Sequence, residues 1–115
     1  DKRGPYSRHD GSCKTCYGGV TINSADYKTI VKNCHWFDCA HASVALKPGA
    51  RRMDCKTFAL PSGMEVQMYL NTDNTVGVLI CNKLDDELPI IFANTKFTVK
   101  YTVPAKSLVS LIWQE

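Results

Sequence analysis

Residues 64–81 read MEVQMYLNTDNTVGVLIC, and their rhythm decides the fold class. Met64, Val66, Met68 and Leu70 alternate with Glu65, Gln67 and Tyr69, the period-two pattern of a strand with one buried and one solvated face. The polar quartet NTDN at 71–74 is turn chemistry. TVGVLIC, 75–81, then runs almost without a polar residue, as suits a central strand.

The same grammar continues on both sides. NKLDDE (82–87) is the next turn, LPIIF (88–92) the next apolar run, and KFTVKYTV (96–103) alternates again. In that stretch Phe97, Val99, Tyr101 and Val103 are expected inward and Thr98, Lys100 and Thr102 outward. PAKS (104–107) turns into a closing strand, LVSLIW (108–113), so Trp113 joins Phe97 as an expected buried ring.

Upstream, RGPYSRHDGS (3–12) is loop chemistry, while GGVTI (18–22) and YKTIVK (27–32) are short extended pieces. NCHWFDCAHASVAL (33–46) changes period: Phe37, Ala40, His41 and Val44 fall on one face of a helix. Asn33 suits its N-cap, Lys47 its last turn, and Pro48-Gly49 its stop, which predicts a helix over 34–46. The expected fold is therefore mainly β: a disulfide-stapled antiparallel β-sandwich with one main α-helix near its N-terminal half. One domain spans 1–115, with loop, short strands and helix in 1–49 and the sandwich strands in 50–115.

Composition excludes several function classes. A chain of 115 residues can build one core but not a barrel enzyme, which needs about 200 residues or more. The net charge of +3 is mild and uneven: residues 1–56 hold ten Lys/Arg against five acids, and 57–115 four against six. No dense basic run occurs, so nucleic acid is not an expected partner. Apolar stretches are strand-sized, so no membrane span is expected. The sequence lacks an initiator Met and a signal-peptide pattern, and reads as a mature or trimmed product.

The six cysteines are Cys13, Cys16, Cys34, Cys39, Cys55 and Cys81. That density predicts an oxidising, extracellular setting and three intramolecular bridges whose connectivity is left open. C-x-x-C at 13–16 could also be a zinc half-site completed by Cys34, His35, Cys39 or His41. However, C-x4-C and H-x5-H miss the usual second half-site spacing. A redox C-x-x-C needs a helix after it, whereas YGGVTI is strand-like. No metal and no cofactor are expected, and no Cys–His motif supports nucleophilic catalysis. Asn23, Asn71, Asn74 and Asn94 all miss the N-glycosylation pattern.

Candidate binding residues are Tyr6 and His9 in the N-terminal loop, His35 and Trp36 at the helix start, and Arg51 and Arg52 beyond its end. Lys47 and Lys56 extend this basic stretch, which is either a solvated face or a surface for an acidic glycan or an anionic protein. The bland reading of His35 and His41 is a surface and a partly buried helix histidine.

The order of motifs resembles the C-terminal region of family-30 glycoside hydrolases, the glucosylceramidase-like group. The residues that carry it are DKRGPY (1–6), CKTCYGGVTI (13–22), WFDCAHASVALKPGARRM (36–53), DNTVGVLICNKLDDELPIIF (73–92) and FTVKYTVPAKSLVSLIW (97–113). The resemblance covers nearly the whole chain. It implies that the first segment matches the loop leaving the last barrel strand, HASVALKPGARR the final barrel helix, and the rest an accessory β-sandwich. It also implies that the family's two catalytic glutamates lie upstream of everything here. None of the acids in this chain matches them, and Cys34, Cys39, Cys55 and Cys81 depart from the family pattern. The expectation is a secreted, non-catalytic protein that binds an extracellular receptor or a glycan. A processed C-terminal chain of a hydrolase and a secreted defence or toxin-like protein are the alternatives.

Overall fold

The computed structural model describes residues 18–23 and 25–114. It divides into two compact units whose boundary, between Ala40 and His41, falls inside the helix.

In the first unit, β1 (Val20–Ile22) and β2 (Ile30–Lys32) form an antiparallel hairpin with Val20 opposite Lys32 and Ile22 opposite Ile30. Asp26 shapes its turn. Its carboxylate accepts bonds from the Lys28 and Thr29 amides and the Thr29 hydroxyl, and these bonds hold its pKa below the ordinary value. The helix α1 (Cys34–Ala45) starts where the sequence places it. Asn33 precedes it, but its side-chain amide donates to the Gly18 carbonyl (2.8 Å) and the Thr21 hydroxyl (3.0 Å). It therefore ties the hairpin to the helix start.

The second unit is a sandwich. β3 (Arg51–Met53), β4 (Met64–Leu70), β5 (Thr75–Asn82) and β8 (Ser107–Gln114) form a four-stranded sheet in the order β3-β4-β5-β8. β6 (Leu88–Ala93) and β7 (Thr98–Val103) form a two-stranded sheet, and every pairing is antiparallel. Register fixes the faces: Met64, Val66, Met68 and Leu70 lie opposite Asn82, Ile80, Val78 and Val76. These positions, with Val109, Leu111 and Trp113, face Leu88, Ile90, Phe92, Val99 and Val103 across the core. Phe97 and Trp113 are both half-buried, their rings 6.0 Å apart, with Phe92 at 5.7 Å from Trp113. Tyr101, expected inward, stays 36% exposed.

The helix end packs on the other face of the four-stranded sheet. Ala45 is buried, and His41 Nδ1 lies 3.0 Å from Ser110 Oγ on β8. The expected apolar face is not the one buried: Phe37 and Val44 are 50% and 51% exposed. Ala45 meets the sheet at Gly77, whose lack of a side chain lets the helix backbone come close to β5. The helix C-terminus is sealed by Asn71, whose amide donates to the Ala45 carbonyl (3.2 Å) while its oxygen accepts from the Lys47 amide (2.9 Å). Asn82, 1% exposed, does the same at the far end, donating to the carbonyls of Asp86 (3.0 Å) and Pro104 (2.9 Å) and accepting from the Leu84 amide (3.0 Å).

The disulfide framework is corrected. No bridge joins any two of Cys34, Cys39, Cys55 and Cys81, and Cys13 and Cys16 lie outside the described residues. Cys34 and Cys39 stand five residues apart on α1, about 140° around the helix. Cys81 alternates with the buried Ile80 and Asn82 and so faces away from the core, while Cys55 Sγ sits against Met68 on the core face. The sheet separates that second pair.

Candidate functional site

After β3 the chain leaves the sheet through DCKTFALPSG (54–63) before re-entering as β4. Pro61 helps close the return, its carbonyl accepting from the Met64 amide at 3.1 Å. Phe58, inside that excursion, is 86% exposed, and Ala59 next to it takes a left-handed φ of 52°. Between this loop, the core face of β4 and the β6–β7 side lies a cavity of about 710 Å³. Its walls are mostly apolar, with Leu60, Val66, Ile90, Phe92 and Phe97 among them, and Asp54 is its only carboxylate among the described residues. The three methionines of the chain, Met53, Met64 and Met68, all line it beside Cys55. Although Cys55 is an exposed residue, desolvation of its thiol pushes the pKa up, and the charge of Asp54 adds to the effect.

The described residues singled out from sequence fall in both units, His35 and Trp36 in the first and Arg51 and Arg52 in the second. Tyr6 and His9 lie outside the described residues. His35 is exposed on the first turn of α1, its Nδ1 3.9 Å from Asp38. Trp36 is half-buried: the Lys32 ammonium stands 3.9 Å from its ring centroid, and Phe37 meets it edge-on at 5.2 Å. The ammonium thus covers one face of the indole, and the half-exposed Phe37 ring stands next to it. Arg51 and Arg52 are exposed neighbours on β3, opposite Leu70 and Tyr69 respectively, so they project from opposite faces of the sheet. Lys47 is bonded to Asp73, and Lys56 lines the cavity. The basic stretch is thus dispersed among an ion pair, two faces and a cavity wall.

Three of the acids are also paired with lysines. Glu65 pairs with Lys83, Asp73 with Lys47, and Asp85 with Lys106 at 3.2 Å. Glycoside hydrolysis needs two carboxylates facing each other across a sugar, about 5–10 Å apart. Among the described residues the cavity supplies one acid, and three of the others are paired with lysines on the surface. No group of three or more His, Cys, Asp or Glu able to hold a metal occurs among the described residues. No helix among them is long and apolar enough to cross a membrane. Sequence reasoning missed the cavity because its wall is built by the β3–β4 excursion. The only local signal was a Cys between two Met-bearing strands.

Residues 49–111 match the glycosyl hydrolase family 30 β-sandwich domain. Among solved structures, the endo-β1,6-glucanase BT3312 superposes with a TM-score of 0.87 at 36% identity, over 100% of this chain and 25% of that one. SrfJ from Salmonella typhimurium superposes with a TM-score of 0.77 at 18% identity, over 89% of this chain and 22% of its own, a likeness of fold alone. The chain thus spans about a quarter of the length of these two solved structures. No curated protein matches it by sequence.

Proposed function

The chain belongs to the glycosyl hydrolase family 30 β-sandwich domain family, and from that premise we propose that it is a non-catalytic accessory module that acts outside the cell by binding a glucan-class polysaccharide. The observation that carries the reading is the disposition of its acids. Glu65, Asp73 and Asp85 are each engaged by a lysine, and among the described residues Asp54 is the one carboxylate in the cavity. A cavity with a single carboxylate among its described residues contributes contacts to a sugar polymer rather than proton transfer or a covalent intermediate. The ligand class is taken from the endo-β1,6-glucanase to which the chain is 36% identical. Polysaccharides of that kind are met outside cells, which is the support for an extracellular placement. The Trp36–Phe37 pair, with Lys32 against the indole, is the surface best suited to stack on a sugar ring.

A second reading has one observation in its favour: the superposition uses all of this chain and a quarter of the glucanase. On that reading the module serves as the sandwich portion of a glucan hydrolase. Binding of β1,6-glucan oligosaccharides by the isolated chain separates the two. Saturable binding that Trp36→Ala weakens and Lys100→Ala leaves intact supports an independent binding module. Unbound sugar, with activity appearing only when a catalytic barrel is supplied, supports the second reading.

A further inference from the structure

The sulfur chemistry of the cavity has no part in sugar recognition. Cys55 Sγ lies 3.2 Å from Met68 Sδ, shorter than an ordinary sulfur–sulfur contact. Met53 stands directly opposite Met68 in the β3–β4 register, and the Cys55 thiol reaches back to within 3.9 Å of the Met53 carbonyl oxygen. One thiol and two thioethers are therefore gathered on a single wall. Met64, four residues before Met68 on the same face of β4, continues that wall along the strand.

We propose that Cys55, Met53 and Met68 form a site for one soft monovalent metal ion of the Cu(I) class. The donor set makes the choice. Thiolate and thioether ligands favour Cu(I), whereas Mg and Ca require clustered oxygen ligands, and among the described residues Asp54 is the only carboxylate on the cavity wall. Zinc seeks four thiolate or imidazole donors, and the zinc alternatives weighed from sequence, Cys34, His35, Cys39 and His41, lie on α1 instead. Access is open, because Cys55 is exposed while Met53 and Met68 are half-buried. On binding, the ion takes the place of the thiol proton. One S–H bond breaks, one metal–sulfur bond forms, the proton passes to solvent, and neither metal nor sulfur changes oxidation state. The thioethers add lone-pair donation without releasing protons. The competing account is that the sulfurs only fill space, with the thiol donating a weak hydrogen bond to Met68.

Ag(I), a redox-inert soft ion, is the probe. In the whole chain labelled at the methionine methyl carbons, three resonances are expected, one for each Met. Titration of the reduced protein should move the Met53 and Met68 resonances saturably and to a greater extent than that of Met64. Cys55→Ser should abolish both movements, and Cys34→Ser should leave them unchanged. Met68→Leu, which preserves apolar volume, should abolish the Met53 movement while the far-ultraviolet spectrum stays that of the parent. Methionine resonances that stay still until a large excess of silver, or that move equally in Cys55→Ser, would overturn the site.

Discussion

The carbonyl oxygen of Ala45 occupies the space that a side chain on Gly77 would need. A Cβ built on Gly77 would lie 1.7 Å from that oxygen and 2.7 Å from the carbonyl carbon. The obstruction is backbone, so neither element can yield by a change of rotamer. This contact sets how closely the helix end approaches the central strand. Gly77→Ala should therefore destabilise the sandwich by more than about 3 kcal/mol, beyond ordinary overpacking. Gly49→Ala, where φ is +82° and the Cβ would meet a Thr72 methyl carbon at 2.9 Å, should cost about 1 kcal/mol or more. Denaturant midpoints of the two variants check the order.

Asn82 is the second fixed point. Its side chain holds the β5–β6 turn through Asp86 and Leu84, and the β7–β8 turn through Pro104. Asn82→Ala removes three hydrogen bonds from a buried site and should cost about 2–4 kcal/mol. Equilibrium unfolding in urea, with an unchanged m-value, is the measurement.

Asp73 predicts how the fold responds to acid. The Lys47 ammonium and the Thr75 hydroxyl and amide hold its carboxyl down to about 2, against an ordinary 3.8. Between those values the folded chain binds fewer protons than the unfolded chain, so stability rises with pH there. The contribution is fully present above about 3.8, where the unfolded carboxyl titrates, and is lost as pH falls through about 2. Asp73→Asn should flatten the acid limb of a thermal-melting profile in this window and leave its shape near neutrality unchanged.

The cysteines supply a covalent test. Peptide mapping under non-reducing conditions should recover no fragment that joins Cys34 to Cys39 or Cys55 to Cys81. The first pair diverges around α1 and the second is divided by the four-stranded sheet. A cross-linked peptide of either kind would contradict the observed faces.

Much of the sandwich is legible in the chain. The alternation of Met64–Leu70 and the apolar run of Thr75–Asn82 appear as neighbouring strands with the inner faces that period two implies. The helix, expected over 34–46, runs from Cys34 to Ala45. What was not legible depends on distant partners. Two arginines and a methionine at 51–53 carry no strand signature, because a three-residue edge strand buries almost nothing of its own. The buried helix position is Ala45, not Phe37 or Val44, because a glycine 32 residues further on lets the Ala45 backbone lie directly against β5. Asn71 and Asn82 look like ordinary turn residues, and their carbonyl partners at Ala45 and Pro104 lie 26 and 22 residues away. Cysteine spacing suggested bridges, but spacing says nothing about which side of a sheet a thiol faces. Trp36 and Arg51–Arg52 were visible as recognition-type residues; that the two arginines project from opposite faces follows only from the register with Tyr69 and Leu70.

Isothermal titration calorimetry of the whole chain with β1,6-glucan oligosaccharides tests the central claim most directly, because one trace reports both binding and turnover. A non-catalytic binding module should give saturable injection heats that return to baseline, with the sugar recovered uncleaved. A sustained heat of hydrolysis after each injection, abolished by replacing a carboxylate such as Asp54, would contradict it.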